Sequence, residues 1–161
     1  MTDDQHALVP AGFTVPRTFV GDGFRLEPLG PQHNARDLAA WTAGIDHIRA
    51  TPGFVGRGWP PVEGMSAEAN RADLVRHARE FEERVAFAYT VLEGDDDGPG
   101  SGDVVGCLYV HPAREAPGRI QVSSWVRADR AHLDAPLHHA VLAWLRAEWP
   151  FDATRIDYAP R

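Results

Sequence analysis

The sequence predicts an α/β domain built on one mixed sheet, with elements in the order β-α-α-β-β-β-α-β. Three apolar strands with short connections follow one another in the middle of the chain, so they are expected to pair as an antiparallel meander. A helical pattern then separates Val126 from Arg155, and strands joined through a helix run parallel. The two kinds of pairing together predict a mixed sheet.

Alternating apolar residues place the strands, and apolar spacings of three and four place the helices. The predicted strands are Phe24–Leu29, Phe87–Glu93, Val104–Val110, Ile120–Val126 and Arg155–Tyr158. The predicted helices are Asn34–Ala50, a second one capped by Ser66 with Leu74, Ala78, Phe81 and Val85 on its inner face, and Ala135–Glu148. Glycine and proline mark the connections, which are the loop Thr51–Pro61, the hairpin tip Gly94–Asp103 and the turn at Pro117–Gly118.

Length and composition predict a single domain over residues 1–161, with residues 1–20 as an extended, proline-broken arm. The net charge of −7 excludes the basic surface that nucleic acids and anionic membranes require, and all 16 basic residues are arginines. The single cysteine, Cys107, excludes an internal disulfide framework. No signal peptide or long apolar segment is present in the sequence, which predicts a cytoplasmic protein.

Four segments carry a resemblance to a known family: "FRLEPLG", "FAYTVLEG…DVVGCLYV", "VSSWVR" and "APLHHAVLAWL". In this order they resemble the GNAT acetyltransferases, which take an acetyl group from acetyl-CoA. The resemblance covers roughly residues 24–158. It implies a GNAT-like sheet that lacks the family's usual final helix and strands, with acetyl-CoA as the co-substrate.

The resemblance implies a cofactor site where the strand Ile120–Val126 meets the helix after it. In the family this strand separates from its neighbour and binds the pantetheine arm, and a glycine-rich turn binds the pyrophosphate. The matching turn has Leu133 in place of the first glycine, and Asp134 is expected to cap the helix and occupy its free amides. The positive charges of Arg127, Arg130 and His132 offset in part the loss of these amides as a phosphate site. The predicted cofactor-binding residues are Val126, Arg127, Arg130 and His132.

Transfer of an acetyl group to an amine needs a base, a donor that polarises the thioester carbonyl, and an acid for the leaving thiolate. The backbone N–H near Val126 is the candidate donor. The glutamate that the family often places on this strand is absent, so His111 is the candidate base, or else an exposed histidine at a strand end. Tyr109 lies on the same face. No residue is assigned as the acid, since Tyr158 belongs to a strand.

The resemblance also places the loop after the first helix beside the acceptor. Glycines surround Arg57 in this loop, and Phe54 and Trp59 flank it. The loop is therefore either a lid over the substrate, with Arg57 and Trp59 as substrate-binding residues, or a long connector. No metal site is predicted, because His138 and His139 are adjacent and diverge by about 100° on a helix.

Two functions remain open from the sequence. The first is acyl-CoA-dependent N-acetylation of a small-molecule or peptide amine. The alternative is an inactive GNAT-fold module for binding or assembly, with weak or no CoA binding. Because the last predicted strand, Arg155–Tyr158, would form an open edge, we expect the arm at residues 7–20 to cover it and the chain to form a homodimer.

Overall fold

A computed structural model of the chain describes residues 7–94 and 102–161. The first six residues of the predicted arm and most of the predicted hairpin tip lie outside the described residues.

Within the described residues, six strands form one mixed sheet whose spatial order follows the chain. They are β1 (Phe19–Val20), β2 (Phe24–Pro28), β3 (Phe87–Glu93), β4 (Val104–Pro112), β5 (Ile120–Val126) and β6 (Ile156–Tyr158). Each neighbouring pair from β1 to β5 is antiparallel, and β5 pairs with β6 in parallel. The predicted mixed sheet is confirmed, with β1 as a strand that the sequence analysis did not include.

Helices cover both faces of this sheet. They are α1 (Asn34–Thr42), α2 (Ile45–Arg49), α3 (Ala67–Glu82) and α4 (Asp134–Glu148). One core packs α4 against the sheet through Leu137, Val141 and Leu145, and a second packs the earlier helices against the opposite face through Trp41 and Leu74. Successive side chains of β4 and β5 point to opposite faces of the sheet, so both strands contribute residues to both cores.

The helix predicted over Asn34–Ala50 is interrupted. α1 ends at Thr42, and α2 begins after Gly44, whose φ of −147° and ψ of 48° are not helical. A Cβ added to Gly44 would lie 3.1 Å from the Cβ of Ala128, just after β5. The break therefore lets the end of α1 approach the residue that follows β5, a contact that local periodicity does not reveal.

The N-terminal arm packs within the chain but at the other edge of the sheet from the one predicted. β1 pairs with β2, whereas β6 lies at the opposite edge. The Phe19 ring lies 4.8 Å from that of Trp144, and the Tyr89 hydroxyl donates to the Pro16 carbonyl at 2.6 Å. The prediction that the arm covers β6 is wrong, because these aromatic contacts hold the arm over the α4 face near β2 and β3.

Ser66 caps α3 as predicted. Its hydroxyl accepts a hydrogen bond from the Ala69 amide at 3.1 Å, and the inward-facing Leu74 and Phe81 are buried. At the other end, Arg84 has a φ of 63° and turns the chain out of the helix. Its guanidinium donates to the carbonyls of Pro10 and Phe13 at 2.7 and 2.6 Å, so the end of α3 also fixes the arm.

Candidate active site

β5 and β6 pair over only part of their length. Their register joins residues 120–122 of β5 to residues 156–158 of β6, and β5 then continues to Val126 paired with β4 only. The Arg127 amide donates to the Val105 carbonyl of β4 at 2.8 Å. Alternation along an antiparallel pair then turns the backbone polar groups of Ser124 and Val126 away from β4. They face a wedge between β5, the end of β6 and the start of α4, which we call the strand wedge.

The strand wedge contains the side chain of Arg161, which is only 5% exposed. Its Nη2 donates to the Ser124 carbonyl at 2.8 Å, and its Nε donates to Oδ2 of Asp134 at 2.7 Å. The prediction that Asp134 caps α4 is wrong. A short 3-10 helix over Ala128–Leu133 runs directly into α4, so Asp134 is itself helical and its carboxylate pairs with Arg161 instead.

Arg127 directly precedes this 3-10 helix, Arg130 lies at a kink inside it with φ −125° and ψ 27°, and both are paired with carboxylates. Arg127 donates two hydrogen bonds to Asp129, at 2.9 and 2.6 Å, and Arg130 donates two to Glu93, at 2.9 and 3.2 Å. The hydrogen bonds from Arg130 lower the pKa of Glu93, and those from Arg127 lower the pKa of Asp129. A phosphate at this position would have to replace these carboxylates. His132 is exposed, and the Val126 side chain is buried.

A large cleft opens on the face of the sheet that carries α1–α3. Its volume is about 1260 Å³, and it runs from α3 across the ends of β4 and β5. Arg57, Trp59, Tyr109, His111 and Ser123 are among its lining residues. A Cβ added to Gly53 would lie 3.8 Å from that of Ser123 and 3.9 Å from that of Ala159. The loop at Gly53 therefore crosses the point where β5 and β6 separate, so the cleft and the strand wedge meet there.

An aromatic cluster forms one wall of the cleft. The Trp59 ring lies 5.8 Å from that of Phe54, 6.4 Å from that of Tyr109 and 6.2 Å from that of Trp125. Arg49 donates to the Pro60 carbonyl at 2.6 Å and fixes the end of the loop. Trp59 is thus a packed wall residue, whereas Arg57 lies exposed at the rim.

The sequence matches no protein-family model and no curated protein. Solved structures are similar in fold. The ribosomal-protein-S5-alanine acetyltransferase of Vibrio fischeri superposes with a TM-score of 0.55 at 12% identity, over 80% of this chain and 66% of the other. The microcin C7 self-immunity acetyltransferase MccE, solved with acetyl-CoA and AMP, gives 0.60 at 10% identity, over 82% and 66%. The chain has the GNAT fold.

A third GNAT structure agrees with this assignment. It is the Salmonella typhimurium acetyltransferase that modifies the N-terminal serine of ribosomal protein L7/L12, with a TM-score of 0.57 at 9% identity, over 81% of this chain and 69% of the other. The chain spans about two thirds of the length of all three structures. At these identities the similarity concerns the fold, and the chemistry has to be argued from this chain's own residues.

In this GNAT fold the predicted site residues fall into two groups. Arg57, Trp59 and His111 line one cleft. Val126, Arg127, Arg130 and His132 follow one another from the end of β5 through the 3-10 helix, but both arginines are directed at carboxylates. The structure does not test any assigned role, so all seven roles stay predictions.

Two titratable residues of the cleft were missed from the sequence. Asp37 on α1 is 4% exposed, and burial raises its pKa, although Asn70 donates to it at 3.1 Å. His77 on α3 lies with its ring 5.7 Å from that of Tyr109, and burial followed by the charge of Arg76 lowers its pKa to about 4. The only sequence signal was a polar residue near the apolar stripe of each helix, which is common on surface helices.

His77 should make the protein less stable in mild acid. Its folded-state pKa of about 4 lies below the unfolded value near 6.5, so the unfolded chain binds more protons between these values and stability falls as the pH falls. From pH 7.5 to 5.0 we expect His77 alone to cost about 2 kcal/mol of unfolding free energy. When the pH is lowered from 7.5 to 5.0, the unfolding free energy of His77→Gln, measured with urea, should fall by about 2 kcal/mol less than that of the wild type. An equal loss in variant and wild type would contradict the assignment.

Within residues 7–94 and 102–161, no group of three or more His, Cys, Asp or Glu side chains is arranged to hold a metal ion. His138 is half-buried with its ring 4.2 Å from that of Tyr158, and His139 is exposed. No helix in the described ranges is long and apolar enough to span a membrane.

Proposed function

We propose that this chain is an acyl-CoA-dependent N-acetyltransferase that acts on a small-molecule or peptide amine. The observation that carries the proposal is the strand wedge, where β5 stays paired with β4 but has no β6 residue opposite it beyond Val122, and where it meets the cleft at Ser123. A free strand edge can hydrogen-bond the amides of an extended pantetheine arm, as a β-strand would. The MccE structure holds acetyl-CoA, which supports the same co-substrate here.

At the start of α4, side chains are better able than backbone amides to bind the coenzyme's phosphates. The Asp134 amide at the start of α4 already donates to the Ala131 carbonyl, and Pro136 has no amide hydrogen. Arg127 and Arg130 supply the positive charge at this end of β5. We therefore assign phosphate binding to these two arginines, which must exchange Asp129 and Glu93 for the coenzyme.

In the proposed reaction the amine nitrogen attacks the thioester carbonyl, an amide forms, and CoA leaves as the thiol. The Val126 N–H faces the strand wedge and is the donor that we assign to the carbonyl oxygen. His111 is the base that we assign to the ammonium proton. His111 lines the cleft, and its Nδ1 lies 3.0 Å from the Pro112 carbonyl oxygen. Its Nε2 therefore remains available to take the proton from the substrate amine.

The proposal is tested by incubating the full chain with acetyl-CoA and a panel of primary amines and short peptides. Released CoA thiol can be followed with a thiol reagent, because Cys107, the only cysteine, is fully buried. We expect thiol release that depends on the amine, with the acetylated amine found by mass spectrometry. Calorimetric titration with CoA gives a second measurement, and no heat of binding together with no turnover would contradict the function.

His111→Gln should lower kcat/KM about a hundredfold, the lower end of the usual effect of losing a general base. The melting temperature should hardly change, since His111 is half-buried at a strand end and its described contact is to a neighbouring carbonyl. His139→Gln on the exposed face of α4 is the matched control. Equal activity of the two variants would remove His111 from the mechanism.

One observation favours the second function, a GNAT-fold module that binds or assembles without catalysis. Arg161 fills the end of the strand wedge formed by Ser124, Tyr158 and Asp134, which we call its wide end, and Arg127 and Arg130 are already paired with carboxylates. If neither the wild type nor a variant with an emptied strand wedge binds CoA, this second function replaces the first.

A further inference from the structure

The wide end of the strand wedge receives the Arg161 guanidinium from several sides. Nε donates to Asp134 Oδ2 at 2.7 Å, Nη2 donates to the Ser124 carbonyl and hydroxyl at 2.8 and 3.3 Å, and Nη1 donates to the Ala159 carbonyl at 2.8 Å. The guanidinium carbon lies 5.8 Å from the centre of the Tyr158 ring, within the range of a cation–π contact. All three nitrogens therefore have acceptors.

The acceptors are held in place by the fold. Ser124 is fully buried, and its hydroxyl shares a 2.5 Å hydrogen bond with that of Tyr158, which is 9% exposed. Asp134 is fixed on the first turn of α4, and its second oxygen, Oδ1, is buried with no hydrogen-bond partner among the described residues. A planar cation with five N–H donors suits this arrangement, whereas a single ammonium could not reach all of these acceptors.

The same acceptors lie where the proposed acyl-CoA arm would pass. The Ser124 carbonyl is one of the few backbone polar groups that the free edge of β5 offers, and Arg161 has taken it. The Asp134 carboxylate lies at the start of α4, next to the turn assigned to the phosphates, and would repel them. A guanidinium in the strand wedge and a pantetheine arm along β5 need the same space and the same acceptor.

We propose that the wide end of the strand wedge is a guanidinium-binding site, which Arg161 fills, and that its occupation excludes CoA. The guanidinium site stands on the contacts of Asp134, Ser124 and Tyr158, and only the exclusion rests on the proposed acetyltransferase function. Acyl-CoA binding then requires Arg161 to leave, so the segment 159–161 competes with the co-substrate.

The site itself is tested without CoA. Arg161→Ala empties it and leaves the Asp134 carboxylate without its cation, so this variant should melt lower than the wild type. Ethylguanidinium at about 10 mM should raise the melting temperature of Arg161→Ala by about 3 °C if the dissociation constant is near 1 mM. Ethylammonium, with the same charge, should raise it less. Ethylguanidinium should leave the wild type unchanged, and adding Asp134→Asn to Arg161→Ala should remove the response.

The exclusion is tested by calorimetry with CoA on the wild type, Arg161→Ala, and Arg161→Ala combined with Asp134→Asn. The double variant loses both the occupant and the repelling charge, so we expect it to bind CoA at least about tenfold more tightly than the wild type, with Arg161→Ala between them. Ethylguanidinium should weaken the binding of CoA to Arg161→Ala. The control is Arg155→Ala, which removes the same charge from an exposed side chain.

The outcomes separate the two claims. Equal response of Arg161→Ala to ethylguanidinium and ethylammonium overturns the guanidinium site. CoA binding that is equal in all variants and insensitive to ethylguanidinium overturns the exclusion and leaves the acetyltransferase function standing. Absence of CoA binding in every variant, with the ethylguanidinium response intact, overturns the acetyltransferase function and the exclusion together and leaves the guanidinium site.

Discussion

Replacing Trp125 with alanine should lower the free energy of unfolding by about 4 kcal/mol, within the range for truncating a buried tryptophan. The Trp125 side chain is 0% exposed and lies between the sheet and the helices on the cleft side. Its Nε1 donates to the Tyr109 hydroxyl at 3.1 Å, so truncation leaves a cavity and also a hydroxyl without this donor. Because the Tyr109 and Trp59 rings pack around it, the cleft wall should lose its shape as well.

A second substitution separates packing from hydrogen bonding. Trp125→Phe keeps most of the buried surface but removes the donor to Tyr109 together with part of the ring volume, and the lost donor should cost about 1–2 kcal/mol beyond the change in volume. Trp149→Phe is the matched control, because Trp149 is 5% exposed and its Nε1 is buried without a hydrogen-bond partner among the described residues. Urea unfolding measures the loss of unfolding free energy in both variants. A smaller loss for Trp125→Phe than for Trp149→Phe would contradict the role of this hydrogen bond.

Most of the fold follows from local patterns. The strands β3, β4 and β5 are apolar segments with a glycine or proline near at least one end of each, and Ser66 lies three residues before the amide that it caps. Each of these signals depends on residues that are close together in the chain, so the sequence alone is enough to predict these elements. The same holds for the parallel β5–β6 pair, because an intervening helix requires a crossover.

The errors concern contacts between distant segments. Asp134 is a good capping residue by type and position, yet its carboxylate pairs with Arg161, 27 residues further along the chain. The arm could have paired with either edge of the sheet, and the rings of Phe13 and Phe19 select the edge next to Trp144 and Trp149. No local pattern distinguishes these alternatives, because each depends on which surfaces meet.

The candidate site divides in the same way. His111 was found because the end of β4 is a local feature, and Arg57 and Trp59 were found because glycines and prolines mark their loop. Asp37 and His77 are helical residues whose burial depends on how α1 and α3 cross the sheet, so their shifted pKa values could not be predicted from spacing. The homodimer stays a prediction, since one chain carries no test of it.

Changing Arg127 and Arg130 together to alanine should weaken CoA binding about a hundredfold, because each would lose a charged hydrogen bond to phosphate. The melting temperature should change little, since the partner carboxylate of Asp129 is 57% exposed and that of Glu93 is 40% exposed. CoA affinity of the double variant should also depend less on salt concentration than that of the wild type. Calorimetry at two salt concentrations measures both effects.

Asp129→Asn should act in the opposite direction. The Asp129 carboxylate accepts hydrogen bonds from both arginines, at 2.6 Å from Arg127 and 3.2 Å from Arg130, so its neutralisation weakens two ion pairs and removes a charge that repels phosphate. We expect CoA to bind more tightly to this variant than to the wild type. Glu83→Gln, which removes the same charge from an exposed position at the end of α3, should leave CoA binding unchanged. If the arginine double variant binds CoA as the wild type does and Asp129→Asn has no effect, the phosphates bind elsewhere, because opposite changes of charge at one site must move the affinity of an anion in opposite directions.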